Sequence, residues 1–259
     1  MSRRLHHGFT IVELMVGLAL ALLLALAIAN VYVQTRQTFR IQAAQSRVSD
    51  DGHYVLDIFK RVLSQAGYRP LAKAGADFKT SFPATSPFAA GQVITANNGT
   101  LSIRFYGENT DSASAVATQG NIIGCDASDA PFLTDNQRHT FALKLDGEQL
   151  KCNDTVLVGN VLDYSLRFGV YDGTNKQGLK DNGRIITQYI ATPTNWDDVL
   201  AIRMCVVIVS DAGSGTNLTP EPMSYQDCAG NTVTATDRRI YRNFTSTFQL
   251  RNLASNLPS

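Results

Sequence analysis

One carboxylate, Glu13, stands at the mouth of an apolar run covering residues 14–29. An acidic side chain costs about 2.5–3.5 kcal/mol at the centre of a membrane-spanning helix, and somewhat less nearer its end, so Glu13 calls for a partner. An amine would serve. Were the chain cut after Gly8, the ammonium of a new N-terminal Phe9 would lie about one helical turn from Glu13, close enough to neutralise it or the glutamate of a neighbouring copy. Such a cut also removes His6 and His7, leaving His53 and His139 as the only histidines.

Little else in the chain carries chemistry. His53 sits between Asp51 and Tyr54 in a helical pattern, with no second histidine at metal-ligand spacing, so both histidines read as solvated or core side chains. No nucleophile elbow, P-loop or dinucleotide fingerprint is present, and neither enzymatic activity nor a cofactor or metal is expected. Residues 172–183 gather Asp172, Asp181 and several amides. They lack the spaced ligands and closing glutamate of a calcium loop, and read as a turn-rich hairpin connection. Arg238, Arg239, Arg242 and Arg251 make the last strand basic, but strand alternation puts Arg239 on the face opposite Arg238 and Arg242 and separates Tyr241 from Phe244. No stacking-plus-charge surface for nucleic acid results. Trp196, the sole tryptophan, reads as buried bulk at a strand entrance.

Removing Arg3 and Arg4 with the first eight residues leaves 21 Lys+Arg against 22 Asp+Glu, which gives no electrostatic case for nucleic acid. All four cysteines, Cys125, Cys152, Cys205 and Cys228, follow the apolar run, and none forms a C-x-x-C pair. Three connectivities are open; the two short loops, Cys125 with Cys152 and Cys205 with Cys228, are the expected arrangement and suit an oxidising compartment. Arginines flank the apolar run on both sides (Arg3 and Arg4; Arg36 and Arg40), so charge does not fix its orientation. The expected disulfides put the C-terminal domain in the periplasm, with the anchor in the inner membrane.

Ile41, Val48, Val55 and Val62 repeat every seven residues, with Ala44, Ile58, Phe59 and Ala66 between them, and Gly67 and Pro70 end the pattern. A nearly continuous helix from about Thr10 to Ala66 follows, on the order of 85 Å long. Residues 9–33 form its membrane or filament-core half and 34–67 its amphipathic half. Residues 68–259 make a β-rich domain that begins with an irregular connection over 71–92. Strands are expected at 101–106, 140–145, 149–152, 161–171, 199–209 and 240–250, with a hairpin at Asp146-Gly147. The fold class is α+β, a long N-terminal helix packed through its stripe on an antiparallel sheet.

An ordinary secretory signal is a competing reading of the N-terminus, with Ala27-Ile28-Ala29 as its cleavage site, and a plain single-pass anchor is another. Glu13 ahead of the apolar core, and a helical pattern running past Ala29, argue against the former. The sequence Gly8-Phe9-Thr10-Ile11-Val12-Glu13, after a short basic leader over residues 1–8, resembles the class III signal of type IV pilins and pseudopilins. Residues 161–171, 195–204 and 241–252 are similar to the C-terminal body of PilW-type minor pilins, so the likeness spans most of the chain. The chain departs in its polar loops, 109–120 and 211–237, and has Asn30 where major pilins often carry a proline. The resemblance implies cleavage after Gly8 by prepilin peptidase, methylation of Phe9, and a role for Glu13 in entering a growing filament. It further implies other minor pilins and the major pilin as partners, and a part in priming or capping the pilus. A J-type pseudopilin of type II secretion and a pilus-associated DNA-uptake subunit are the alternatives.

Overall fold

The computed structural model describes residues 10–70, 77–108, 122–125, 133, 136–171, 185–212 and 218–254. One helix, α1 (Ile11–Gln65), dominates it. Its 55 residues span about 80 Å. The helix stops where the sequence says it should: Gly67 adopts φ +76, a conformation that suits glycine. The carbonyls left over at its end are taken by Asn252, whose amide donates to Ser64 O at 3.0 Å and Ala66 O at 3.2 Å.

Among the described residues, three antiparallel sheets follow. The first joins β1 (Ile94–Asn97), β2 (Thr100–Tyr106), β3 (Arg138–Asp146), β4 (Gln149–Cys152) and β5 (Thr155–Val158) in chain order. The second has the order β11-β8-β6-β7, from β6 (Val161–Val170), β7 (Gln188–Ile190), β8 (Val199–Val209) and β11 (Tyr241–Gln249). A small hairpin, β9 (Ser224–Gln226) with β10 (Thr232–Thr234), is the third. Two short helices, α2 (Phe78–Ser81) and α3 (Arg251–Ala254), complete the described elements. The apolar runs set the order. In β8 ten of eleven positions are buried, as befits a strand covered on both faces. The stripe of α1 lies on one side of it, and Tyr225 of β9 stacks at 4.7 Å on Tyr241 of β11 on the other.

The long-helix, antiparallel-sheet architecture is as expected, but the sheet is divided, and the described part of the connection after α1 holds the short helix α2 and an isolated bridge between Thr85 and Phe88 among its turns. Residues 77–92 fold around Arg104, a guanidinium only 2% exposed in the middle of β2. It donates to Gln92 O at 2.6 Å, Pro83 O at 2.7 Å, Ala89 O at 2.9 Å and Phe82 O at 3.1 Å, and lies over the rings of Phe82 and Phe88. Burial lowers its pKa to about 10, leaving it charged at neutral pH. Four carbonyl dipoles and two ring faces meet that charge.

Candidate assembly interface

Helix α1 begins with a reciprocal cap. The Thr10 N–H donates to Glu13 Oε2 at 3.0 Å while the Glu13 N–H donates to Thr10 Oγ1 at 3.2 Å, satisfying two of the donors a helix start leaves free. Glu13 is therefore fixed one turn into the helix, exposed, with its carboxylate folded back toward the N-terminal end. Gly8 and Phe9, the expected processing residues, lie outside the described residues. So does the whole leader.

Every residue from Ile11 to Val33 is exposed. Leu14, Leu18, Leu22 and Leu26 are each more than half exposed, and the segment is long and apolar enough to cross a membrane. Its polar end is marked by Thr35, whose hydroxyl donates to Val31 O at 2.8 Å, and by Arg36, which folds over the Tyr32 ring. A shallow bay of about 440 Å³ lies between Ala27, Ile28, Val31, Tyr32 and Thr35. Such a rod has two environments that suit it, lipid and the rods of other subunits.

The second half of α1 fixes the rod to the sheet domain. Ala44, Val48, Gly52, Val55, Phe59 and Val62 are buried along one face, as the stripe requires, while Ile41 and Ile58 are only part-buried at its borders. The Arg242 guanidinium donates to Ser49 Oγ and adds a polar tie. Gly52 is a point of close approach: a Cβ there would overlap the ring of Phe244 from β11. A glycine on the apolar face of a helix signals such an approach, and this one, four residues after Val48 and three before Val55, had that signal without being read. Helix propensity alone would favour Gly52→Leu by about 0.8–1 kcal/mol. Overpacking costs about 1–3 kcal/mol and is the larger effect, because the Phe244 ring is itself enclosed. The full-length protein in detergent should therefore melt lower with Gly52→Leu, and Phe244→Ala in the same chain should recover part of the loss. Additive losses in the double variant would refute the contact.

The cysteines lie on the sheets. Cys152 of β4 is joined to Cys125, with Cα atoms 6.0 Å apart, and Cys205 of β8 to Cys228, with Cα atoms 5.5 Å apart. The second pair straps the segment after β9 to the outer face of the β11-β8-β6 sheet, where the Cys228 N–H donates to Asp163 Oδ2 at 2.8 Å and the Asn243 amide donates to Gln226 O at 3.1 Å.

The remaining sequence candidates do not converge. His53 is exposed and meets the Phe244 ring edge-on, and His139 is stacked with Phe141 on β3. Trp196 opens a 3-10 turn, Trp196–Asp198, half-buried and edge-on to Phe168. Arg238 and Arg239 precede β11 instead of lying in it, a correction to the strand reading: the Asp237 carboxylate accepts from the Arg239 guanidinium at 2.6 Å and from the Tyr241 hydroxyl at 2.9 Å, and this turn sets the start of the strand. Burial favours the neutral acid at Asp237, and the hydrogen bonds from Arg239 and Tyr241 outweigh it, holding the carboxyl below its usual range. Among the described residues no cluster of His, Cys, Asp and Glu could hold a metal ion. The 172–183 loop lies outside the described residues.

A model of the family described as Type IV Pilus-assembly protein W matches residues 122–252, half of the chain, and a model of the prokaryotic N-terminal methylation motif matches residues 3–29. No curated protein matches the chain. Among solved structures, a type IV-like pilin from Thermus thermophilus is similar at 12% identity and a TM-score of 0.43, covering 80% of this chain and 98% of that one. With a methylation motif at its start, an exposed rod behind the motif and the family's own segment forming the sheet domain, the chain belongs to the Type IV Pilus-assembly protein W family and is a minor pilin of type IV pilus assembly.

Proposed function

We propose that this minor pilin acts at the start or tip of the filament, priming or capping assembly together with other minor pilins, and that it works through protein contacts and not through catalysis. The observation that carries this reading is the exposed apolar rod from Ile11 to Val33, continuous with a helix half that is already covered by its own sheet domain. A rod without cover needs lipid before assembly and neighbouring rods after it. In this reading prepilin peptidase cuts after Gly8, Phe9 is methylated, the domain from 68 onward faces the periplasm, and the Phe9 amine pairs with Glu13 of its own or a neighbouring subunit.

A priming subunit controls how many filaments begin, and not how long each one grows. Deleting the gene should therefore lower the number of pili per cell while leaving the length of the survivors near normal, and full-length protein should co-purify with other minor pilins. Unchanged filament numbers in the deletion strain would contradict the priming role.

A further inference from the structure

Among the described residues, the second sheet has an edge that is left open. On β6 the backbone groups of odd-numbered residues face β8: the Tyr171 N–H donates to Asp198 O, and the register pairs Arg167 with Arg203 and Ser165 with Cys205. Tyr164, Leu166 and Phe168 therefore point their N–H and C=O groups the other way. There β7 pairs only with Phe168 to Val170. Carried on in register, β7 would bring Thr192 opposite Leu166 and Thr194 opposite Tyr164, but the strand ends at Ile190. Among the described residues, no backbone group pairs with Tyr164 or Leu166 on that side.

Beside this edge lies a cavity of about 220 Å³, lined by Tyr164 and Leu166 of β6, Ala96 of β1, the Asn98-Gly99 turn and Thr192. It is smaller than the roughly 300–1,000 Å³ that small-molecule ligands occupy, and is of side-chain size. The Tyr164 hydroxyl is enclosed and, among the described residues, has no hydrogen-bond partner. An orphaned buried hydroxyl is uncommon in a finished core, and this one belongs to a residue that both lines the cavity and lies on the unpaired strand edge.

From these observations we infer that the β6 edge is a β-addition site, and that its occupant is an extended segment of another pilin subunit, running antiparallel to β6 and placing one apolar side chain in the cavity. Backbone pairing at Tyr164 and Leu166 would supply affinity and the cavity would select the side chain. A pilin is the occupant because the sheet domain is fixed to a rod that packs beside the rods of other subunits, so their domains meet this one laterally.

The inference rests on the minor-pilin reading, and one experiment separates the two. A photoreactive phenylalanine is placed in full-length protein in cells, either at exposed Thr192 or at Leu22 on the rod. The Thr192 probe should capture an extended, non-helical segment of another pilin. Leu166→Pro, which removes an outward N–H and leaves the β8 ladder intact, and Ala96→Leu, which fills the cavity, should each lower that capture about tenfold while the Cys205 to Cys228 disulfide still forms. Pilin adducts at Leu22 with none at Thr192, or Thr192 adducts confined to this chain's own residues 172–184 or to the helix of a neighbour, would overturn the β-addition site alone. Absence of pilin adducts at both positions would overturn the site and the subunit reading together.

Discussion

Replacing Arg104 by Met should be among the most damaging single changes in the domain. Four backbone carbonyls, of Phe82, Pro83, Ala89 and Gln92, would lose their donor in a place where water does not reach the guanidinium. Breaking one side of a buried charged arrangement costs about 3–5 kcal/mol. That is a large fraction of the total stability of an ordinary domain, about 5–15 kcal/mol. Arg104→Lys keeps the charge but presents a single ammonium, which cannot reach carbonyls on both sides of the fork, so it should recover less than half of the loss. Thermal melting of the full-length protein, with proteolysis mapped around residues 77–92, reads both effects. Wild-type melting of the Met variant would show that the 77–92 segment is held by its apolar contacts alone.

Glu13→Ala should leave the protein in the membrane and keep it out of the filament. Removing the carboxylate makes the segment cheaper to insert, by up to about 2.5–3.5 kcal/mol, so membrane levels should hold or rise. The same change removes one half of the cap with Thr10, worth about 1 kcal/mol at a helix end that 55 residues of helix can spare. In the proposed pairing, it also removes without replacement the partner of the N-terminal amine in the apolar core of the filament, where an unpaired charge is far more costly than a lost cap. Incorporation into sheared pili should fall at least about tenfold at unchanged membrane level. Glu13→Asp should restore part of it, since the charge is kept on a shorter arm. Normal incorporation of the alanine variant would refute the pairing.

The parts of this fold that could be read from the sequence are those with long, single-minded patterns. The heptad of Ile41, Val48, Val55 and Val62 gave α1 to within a residue or two, and the apolar run of β8, interrupted only by Arg203, gave Val199–Val209 without error. Strands of three or four residues carry too few positions for a pattern, and β5, β7, β9 and β10 went unseen for that reason. The hairpin of β1 and β2 was legible but missed: Asn98 at φ 47 and Gly99 at φ 74 make the turn that an Asn-Gly pair favours.

The site divides the same way. Glu13 and the Gly8-Phe9 junction are local motifs and stand out in one short stretch. Gly52 under Phe244, the Arg104 cradle and the open edge at Tyr164 are made by residues brought together from distant parts of the chain, and no local rule announces which ones will meet. Arg104 in particular reads as a surface residue of an alternating strand, yet the 77–92 segment covers it.

The claim on which all of this depends is that the chain is a processed pilin subunit, and the mass of the mature protein extracted from membranes tests it most directly. The expected species lacks Met1 to Gly8, begins at Phe9 and carries one added methyl group on its terminal nitrogen. A mature chain that begins at Asn30, or one that keeps its leader intact, would contradict it.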